Sequence, residues 1–290
     1  MVAPELPYES ELTRINGLFM HIVHAGPKDG PLVILLHGFP EFWYGWRGQI
    51  DPLTSQGFRL MIPDQRGYNR SDKPGYVGEY VMQQLVDDVV SLIHHAGKDR
   101  AMIVGHDWGG IVAWWTALRY PDRVEKLAVL NAPHPLVMSR NLRRNPRQML
   151  MSWYTVAFQV PWLPERLIEA NGYKIFANAI KRSARRDSFS AADMQKYREA
   201  WSQPGAMQAM LNWYRAYVQR GPQLPDDSRI KAPTLLIWGA QDFALNTGMA
   251  QPSIDLCDDG KLVKIDKATH WVQHDATEQV NESLIDFLRE

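Results

Sequence analysis

The stretch Gly105-His-Asp-Trp-Gly109 sets a carboxylate between two glycines, where an apolar run at residues 101–106 gives way to a helical pattern. It has the form Gly-x-Ser-x-Gly of a nucleophile elbow, with Asp107 where a serine is usual. Such a turn pushes one side chain out over the carboxyl edge of a sheet, and the helix that follows aims its N-terminal N–H groups at it. A carboxylate nucleophile suits a saturated carbon: attack gives an alkyl ester of Asp107 itself, which water must then hydrolyse. The competing reading makes Asp107 a helix N-cap, a position that Asp favours.

Hydrolysis of that ester requires a base, a group to orient the base, and donors for the oxyanion. Chain order in this type of site runs nucleophile, acid, histidine. Of nine histidines, His270, in Lys267-Ala-Thr-His-Trp-Val-Gln-His274, follows the last strand pattern and meets that order. His274 adds a His-x3-His spacing, but no Glu or Cys completes a zinc pattern, so no metal is expected. His106 adjoins Asp107, and strand alternation turns it to the other side. Asp242, in Trp238-Gly-Ala-Gln-Asp-Phe243, lies after one late strand and before His270; the loop after residues 124–130 offers Asn131 instead of an acid. Asp242 is expected to fix the imidazole tautomer. The N–H groups of Trp108 and of Phe39, in the turn His37-Gly-Phe-Pro40, are expected to form the oxyanion hole. His37, Pro40, Trp108 and Trp271 are expected to line the substrate pocket.

A leaving oxygen that stays attached to carbon needs an acid; a departing halide needs only N–H donors. Tyr214 falls on the buried face of the pattern Met207, Met210, Leu211, Tyr214, Tyr217, Val218, and Tyr154 precedes a loop punctuated by prolines. The residues alone leave both tyrosines open between acid and plain core.

The elements that must position these groups can be read in order. Residues 11–24 alternate around Asn16-Gly17, a hairpin signal. Apolar runs at 32–36, 58–62, 101–106, 124–130, 233–238 and 261–265 alternate with helical patterns to residue 56 and at 80–96, 110–120 and 278–289. That alternation implies right-handed crossovers and a mostly parallel sheet flanked by helices, an α/β class. From about 135 to 227 the spacing is helical with no convincing strand. The expected organisation is therefore a core of residues 1–134 and 228–290 with an all-helical lid, 135–227, inserted over the carboxyl edge.

At 290 residues, 45% hydrophobic and 22% charged, the chain reads as an ordinary globular protein. Thirty-two basic and thirty-two acidic residues leave no net field for nucleic acid or an anionic membrane, so neither partner is expected, and the basic runs at 140–147 and 181–186 read as solvated helix faces. The single cysteine, Cys257, excludes an internal disulfide and fits a reducing compartment. Met1-Val-Ala-Pro-Glu-Leu-Pro7 has no secretory pattern, and no run approaches the roughly 18 apolar residues of a membrane span. A cytoplasmic protein is expected. No Gly-x-Gly-x-x-Gly or Gly-x4-Gly-Lys-Ser/Thr occurs, so no nucleotide cofactor is expected. Eleven tryptophans, five of them at 43, 46, 108, 114 and 115, suit an aromatic-walled pocket or core packing.

His37-Gly-Phe-Pro-Glu-Phe-Trp-Tyr-Gly-Trp-Arg47, Pro63-Asp-Gln-Arg-Gly-Tyr68 with Ser71-Asp72, Gly105-His-Asp-Trp-Gly-Gly110, Phe158-Gln159 and Leu211-Asn-Trp-Tyr-Arg215 together resemble the soluble epoxide hydrolases of the α/β-hydrolase fold. The resemblance covers nearly the whole chain and is nearest to the single-domain bacterial enzymes. It implies that Tyr154 and Tyr214 grip and protonate the oxygen of a small-molecule epoxide, with no cofactor. Haloalkane dehalogenases share Asp-Trp at the elbow but typically carry Asn where this chain has Phe39. Fluoroacetate dehalogenases typically carry Arg where it has Trp108. A non-catalytic binding protein on the same scaffold would lack a triad member, and none is missing.

Overall fold

Leu32–Leu36, five apolar residues in a row, are all buried on both faces, as only the middle of a covered sheet allows. The computed structural model describes residues 8–290, and the N-terminal stretch read above, residues 1–7, lies outside the described residues. The strands are β1 (Glu9–Ile15), β2 (Leu18–Ala25), β3 (Leu32–Leu36), β4 (Arg59–Pro63), β5 (Ala101–His106), β6 (Val124–Leu130), β7 (Thr234–Gly239) and β8 (Gly260–Ile265). They form one sheet in the order β1-β2-β4-β3-β5-β6-β7-β8. β1 and β2 pair antiparallel across Asn16-Gly17, whose positive φ values of 46° and 83° are those of a tight hairpin turn. β2 is antiparallel to β4, and every later pair is parallel.

Helices α1 (Arg47–Ser55), α2 (Met82–His95) and α3 (Trp108–Arg119) supply the crossovers in the first half. The helix after the elbow starts at Trp108, directly at the turn, two residues before its apolar pattern suggests. Between β6 and β7 the regular structure is helical: α4 (Pro135–Arg144), α5 (Pro146–Met151), α6 (Trp153–Ala157), α7 (Leu163–Ser183), α8 (Ala191–Trp201) and α9 (Ala206–Gln219). α7 is broken at Ala170–Tyr173, where Asn171, Gly172 and Tyr173 all take positive φ. The chain closes with α10 (Ala250–Ile254), α11 (Val272–Asp275) and α12 (Thr277–Arg289). Among the described residues no helix is long and apolar enough to cross a membrane.

Strand order places the site. The chain runs from β3 outward to β4, then returns to put β5 on β3's other side, so the loops after β3 and β5 diverge and leave a crevice at their carboxyl ends. Five adjacent parallel strands, β3-β5-β6-β7-β8, then deliver the loops that carry Phe39, Asp107, Asn131, Asp242 and His270.

The tryptophans divide by role. Trp46, Trp114 and Trp115 are packed in the core, whereas indole N–H groups join the α4–α9 segment to the sheet domain: Trp201 Nε1 donates to Pro40 O (2.6 Å), Trp213 Nε1 to Arg66 O (3.0 Å) and Trp271 Nε1 to Ser183 Oγ (2.9 Å).

Candidate active site

The turn between β5 and α3 is set by steric exclusion. A Cβ on Gly109 would run into the Leu36 carbonyl oxygen, and one on Gly38 would come within 2.5 Å of Asp107 Cβ, so both positions admit only glycine. Asp107 itself takes φ 50° and ψ −120°, away from the ordinary regions for an L-residue. It occupies the N-cap position of α3 but makes no side-chain cap hydrogen bond. The carboxylate is aimed elsewhere: Oδ1 accepts from the Phe39 N–H (2.8 Å), and Oδ2 lies 3.4 Å from His270 Nε2.

On the far side of the imidazole, His270 Nδ1 hydrogen bonds Asp242 Oδ2 at 2.9 Å. Asp242 is held in turn by three donors: the N–H groups of Ala244 (2.7 Å) and Leu245 (2.9 Å) on Oδ1, and Asn131 Nδ2 (2.7 Å) on Oδ2. Asn131 Oδ1 also accepts from the Gly239 N–H at 2.9 Å, which ties the ends of β6 and β7 together. Sequence reasoning weighed Asn131 only as a position lacking an acid. Its partners sit about 110 residues away, and only strand adjacency reveals them.

Burial disfavours charge on both central groups, and their mutual attraction outweighs it. For His270 burial pulls the pKa down, but Asp242 and Asp107 on either side raise it from 6.5 to about 10. For Asp107 burial pulls upward, while the His270 hydrogen bond and charge, with the Phe39 N–H, hold the carboxyl below its ordinary value. The geometry thus favours a proton on His270 beside the Asp107 carboxylate.

Asp107 and His270 open onto a cavity of about 190 Å³ walled mainly by apolar and aromatic side chains. From the sheet domain come Phe39, Pro40, Phe243, Ala244 and Trp271; from the helices come Tyr154, Phe158, Phe176, Ala179, Ile180, Ser183 and Tyr214. Tyr154 and Tyr214 stand 5.9 Å apart between ring centroids, and Tyr214 is edge-on to Phe39 at 5.0 Å. Burial first, and the Asp107 charge with it, pushes both phenols upward, so each is a proton donor at neutral pH.

Two expected pocket residues lie elsewhere. His37 is buried behind the site: its Nε2 accepts from the Gln65 N–H (3.0 Å), its Nδ1 faces the Gly38 carbonyl (3.0 Å), and no ring atom is left for a ligand. The Trp108 ring is not on the cavity wall; it packs edge-on against Tyr214 (5.0 Å) and Trp213 (5.7 Å) and touches the site through Tyr214. Its N–H is the first of α3, directly after Asp107 in the chain. Pro40 and Trp271 do line the cavity.

Two further histidines, His106 and His274, converge on a group to which the sequence reading gave no role. Glu41, 1% exposed, receives Tyr197 Oη (2.5 Å) and His274 Nε2 (2.8 Å) on Oε1 and Gln273 Nε2 (3.0 Å) on Oε2, with His106 Nδ1 3.2 Å from Oε2. His106 Nε2 donates to the His270 carbonyl at 2.8 Å. Burial opposes charge on Glu41, but His274 and His106 keep its carboxyl well below the usual range. This cluster braces the loop that carries His270 against both the elbow and α8. Among the described residues, no group of three or more His, Cys, Asp or Glu side chains is arranged to hold a metal ion.

Comparison with known proteins gives the family. Residues 31–277 match the family model described as alpha/beta hydrolase fold. The chain is 43% identical to the AB hydrolase superfamily protein YfhM of Bacillus subtilis, over 96% of this chain and 97% of that one. It is 35% identical to human epoxide hydrolase 4, over 95% of this chain and 77% of that protein. Among solved structures, an epoxide hydrolase from Bacillus megaterium superposes with a TM-score of 0.87 at 29% identity, covering 97% of this chain and 100% of that one. The fold, the length of the matches and the curated relatives agree that the chain belongs to the epoxide hydrolases of the α/β-hydrolase fold family.

Proposed function

We propose that the protein converts a small apolar epoxide to a vicinal diol through an ester on Asp107, without a cofactor. The observation that carries this reading is the line Asp107–His270–Asp242 facing two phenol donors across one apolar cavity. Tyr154 and Tyr214 hydrogen bond the ring oxygen. Asp107 Oδ1 is engaged by the Phe39 N–H, which leaves Oδ2 to attack carbon. The ring C–O bond breaks as the new C–O bond forms, and the oxygen takes a proton from a tyrosine.

The ester carries no charge, so His270 loses one of the two carboxylates that hold its proton. Its proton returns to the tyrosinate left by ring opening, and the neutral imidazole then accepts one from water, which attacks the Asp107 carbonyl carbon; Asp242 and Asn131 keep the imidazole aligned. The oxyanion forms on Oδ1, beside the N–H groups of Phe39 and Trp108. Collapse expels the diol oxygen, which takes the proton of the hydroxyl that water left on the Asp107 carbon, and the carboxylate is restored beside the imidazolium. A cavity of about 190 Å³ is smaller than the roughly 300–1,000 Å³ of clefts for drug-sized ligands, which favours short alkyl or single-ring epoxides. In this reading residues 135–227 act as a lid over a core of 1–134 and 228–290, and supply both tyrosines. The lone, buried Cys257 thiol suits a cytoplasmic setting.

The test is diol formation from aryl and alkyl epoxides, with halide release from matched haloalkanes run in parallel. Wild type should give diol without halide, and Asp107→Ala should give neither. Tyr154→Phe/Tyr214→Phe should lose ring opening. His270→Gln should stall with an adduct on the Asp107 peptide, read by mass spectrometry. Halide without diol, or an adduct elsewhere, would sink the proposal.

A further inference from the structure

The chain is neutral overall, but its charge is unevenly spread. From Arg140 to Arg186 there are ten lysines and arginines against two acids, Glu165 and Glu169, so the rest of the molecule carries the opposing negative charge. Glu165 is taken up by Arg215 at 2.6 Å. Among the described residues none of the ten basic side chains forms an ion pair.

The same segment holds nine of the fourteen large apolar side chains that are exposed among the described residues. Leu150 (74% exposed), Trp153 (65%) and Val156 (72%) recur every third residue along α5 and α6, which keeps them on one outward face, and Trp162 (63%) follows at the start of α7. Arg143, Arg144 and Arg147, all exposed, immediately precede Leu150 in the chain. A soluble monomer rarely leaves so many large apolar groups together in water.

We propose that this face docks on an anionic lipid surface, with the arginines on the phosphates and the two indoles at headgroup depth. Charge decides between occupants. A second copy seated face to face would oppose two basic surfaces, whereas an anionic bilayer complements the basic rim and takes up the apolar centre. The face is continuous with the cavity rim. Gln148 Nε2 donates to Ala244 O (3.0 Å) and so pins α5 to the loop carrying Phe243, an exposed cavity-lining residue. Tyr154 on α6, Phe158 directly after it, and Phe176 and Ile180 on α7 beyond its break line the cavity. A docked molecule would thus take apolar substrate from the bilayer, a consequence that rests on the function proposed above. The docking does not, and its readout is independent of turnover.

The experiment is co-sedimentation of the full chain with vesicles of phosphatidylglycerol and phosphatidylcholine, and with phosphatidylcholine alone. Wild type should pellet with the anionic vesicles only, and should be released at about 1 M salt, where the screening length is about 3 Å. Arg143→Gln/Arg144→Gln/Arg147→Gln should bind about a hundredfold more weakly, from about fivefold per arginine. Leu150→Ser/Trp153→Ser/Val156→Ser should bind at least about tenfold more weakly. Unchanged circular dichroism and melting temperature establish that each variant is folded; if one is not, the comparison of the two vesicle types with wild type still decides. Wild type left in the supernatant with anionic vesicles overturns the proposal, as does wild-type binding by both variants. A dimer in sedimentation velocity that the Leu150, Trp153 and Val156 substitutions abolish would assign the face to a second copy and overturn it too.

Discussion

In the proposed mechanism, forming the ester removes a negative charge 3.4 Å from His270 Nε2, and Asp107→Asn mimics that loss without changing the shape of the side chain. At 3.4–4 Å, with an effective dielectric of about 20, the charge is worth about 4–5 kcal/mol to the imidazolium. That corresponds to about three pKa units. His270, held at about 10 with both carboxylates in place, should therefore titrate near about 7 in the variant, where a general base is effective at neutral pH. The assay is a pH titration of the His270 ring by NMR in wild type and Asp107→Asn, with Asp107→Ala to check that the shift follows charge and not the amide. In single turnovers of wild type, ester hydrolysis should likewise speed up as pH rises through about 7 and then level off. Stability gives an independent reading. The folded-state pKa of His270 lies above its ordinary 6.5, so the ion pair stabilises the fold fully below that pH and loses its contribution as pH rises towards about 10. The melting temperature of wild type should fall across that window, and that of Asp107→Asn should fall less. A His270 that still titrates above about 9 in both variants would refute the two-carboxylate account.

Asn131→Ala removes a hydrogen bond to a charged acceptor, worth about 1.5–3 kcal/mol, and should slow ester hydrolysis about ten- to a hundredfold while leaving alkylation largely intact. Rapid-quench kinetics would separate the two steps, and an unchanged hydrolysis rate would make Asn131 a strand tie only. Glu41→Ala leaves His274, His106 and Tyr197 buried without their shared acceptor and should cost about 3–5 kcal/mol of stability by urea unfolding. An unchanged unfolding midpoint would mean that the cluster does not brace the loop.

What the sequence determined by itself was mostly local. The strand-turn-helix at Asp107 is legible because the glycines that permit it are its near neighbours in the chain, and the steric conflicts they avoid are the same in any context. Strand and helix order is legible because burial on both faces imposes continuous apolar runs such as Leu32–Leu36, and chain order then puts Asp242 and His270 on neighbouring loops. The tertiary structure decided what depends on which strands become neighbours. It brought Asn131 to Asp242 across the β6–β7 boundary, gathered Glu41, His106, Gln273, His274 and Tyr197 from four separate stretches, and used up the ring nitrogens of His37 away from the cavity. It also decided which apolar side chains of α5–α7 face inward and which face water. Helical spacing marks an apolar stripe but does not say what will cover it, and a neutral total charge conceals how the charges are grouped in space.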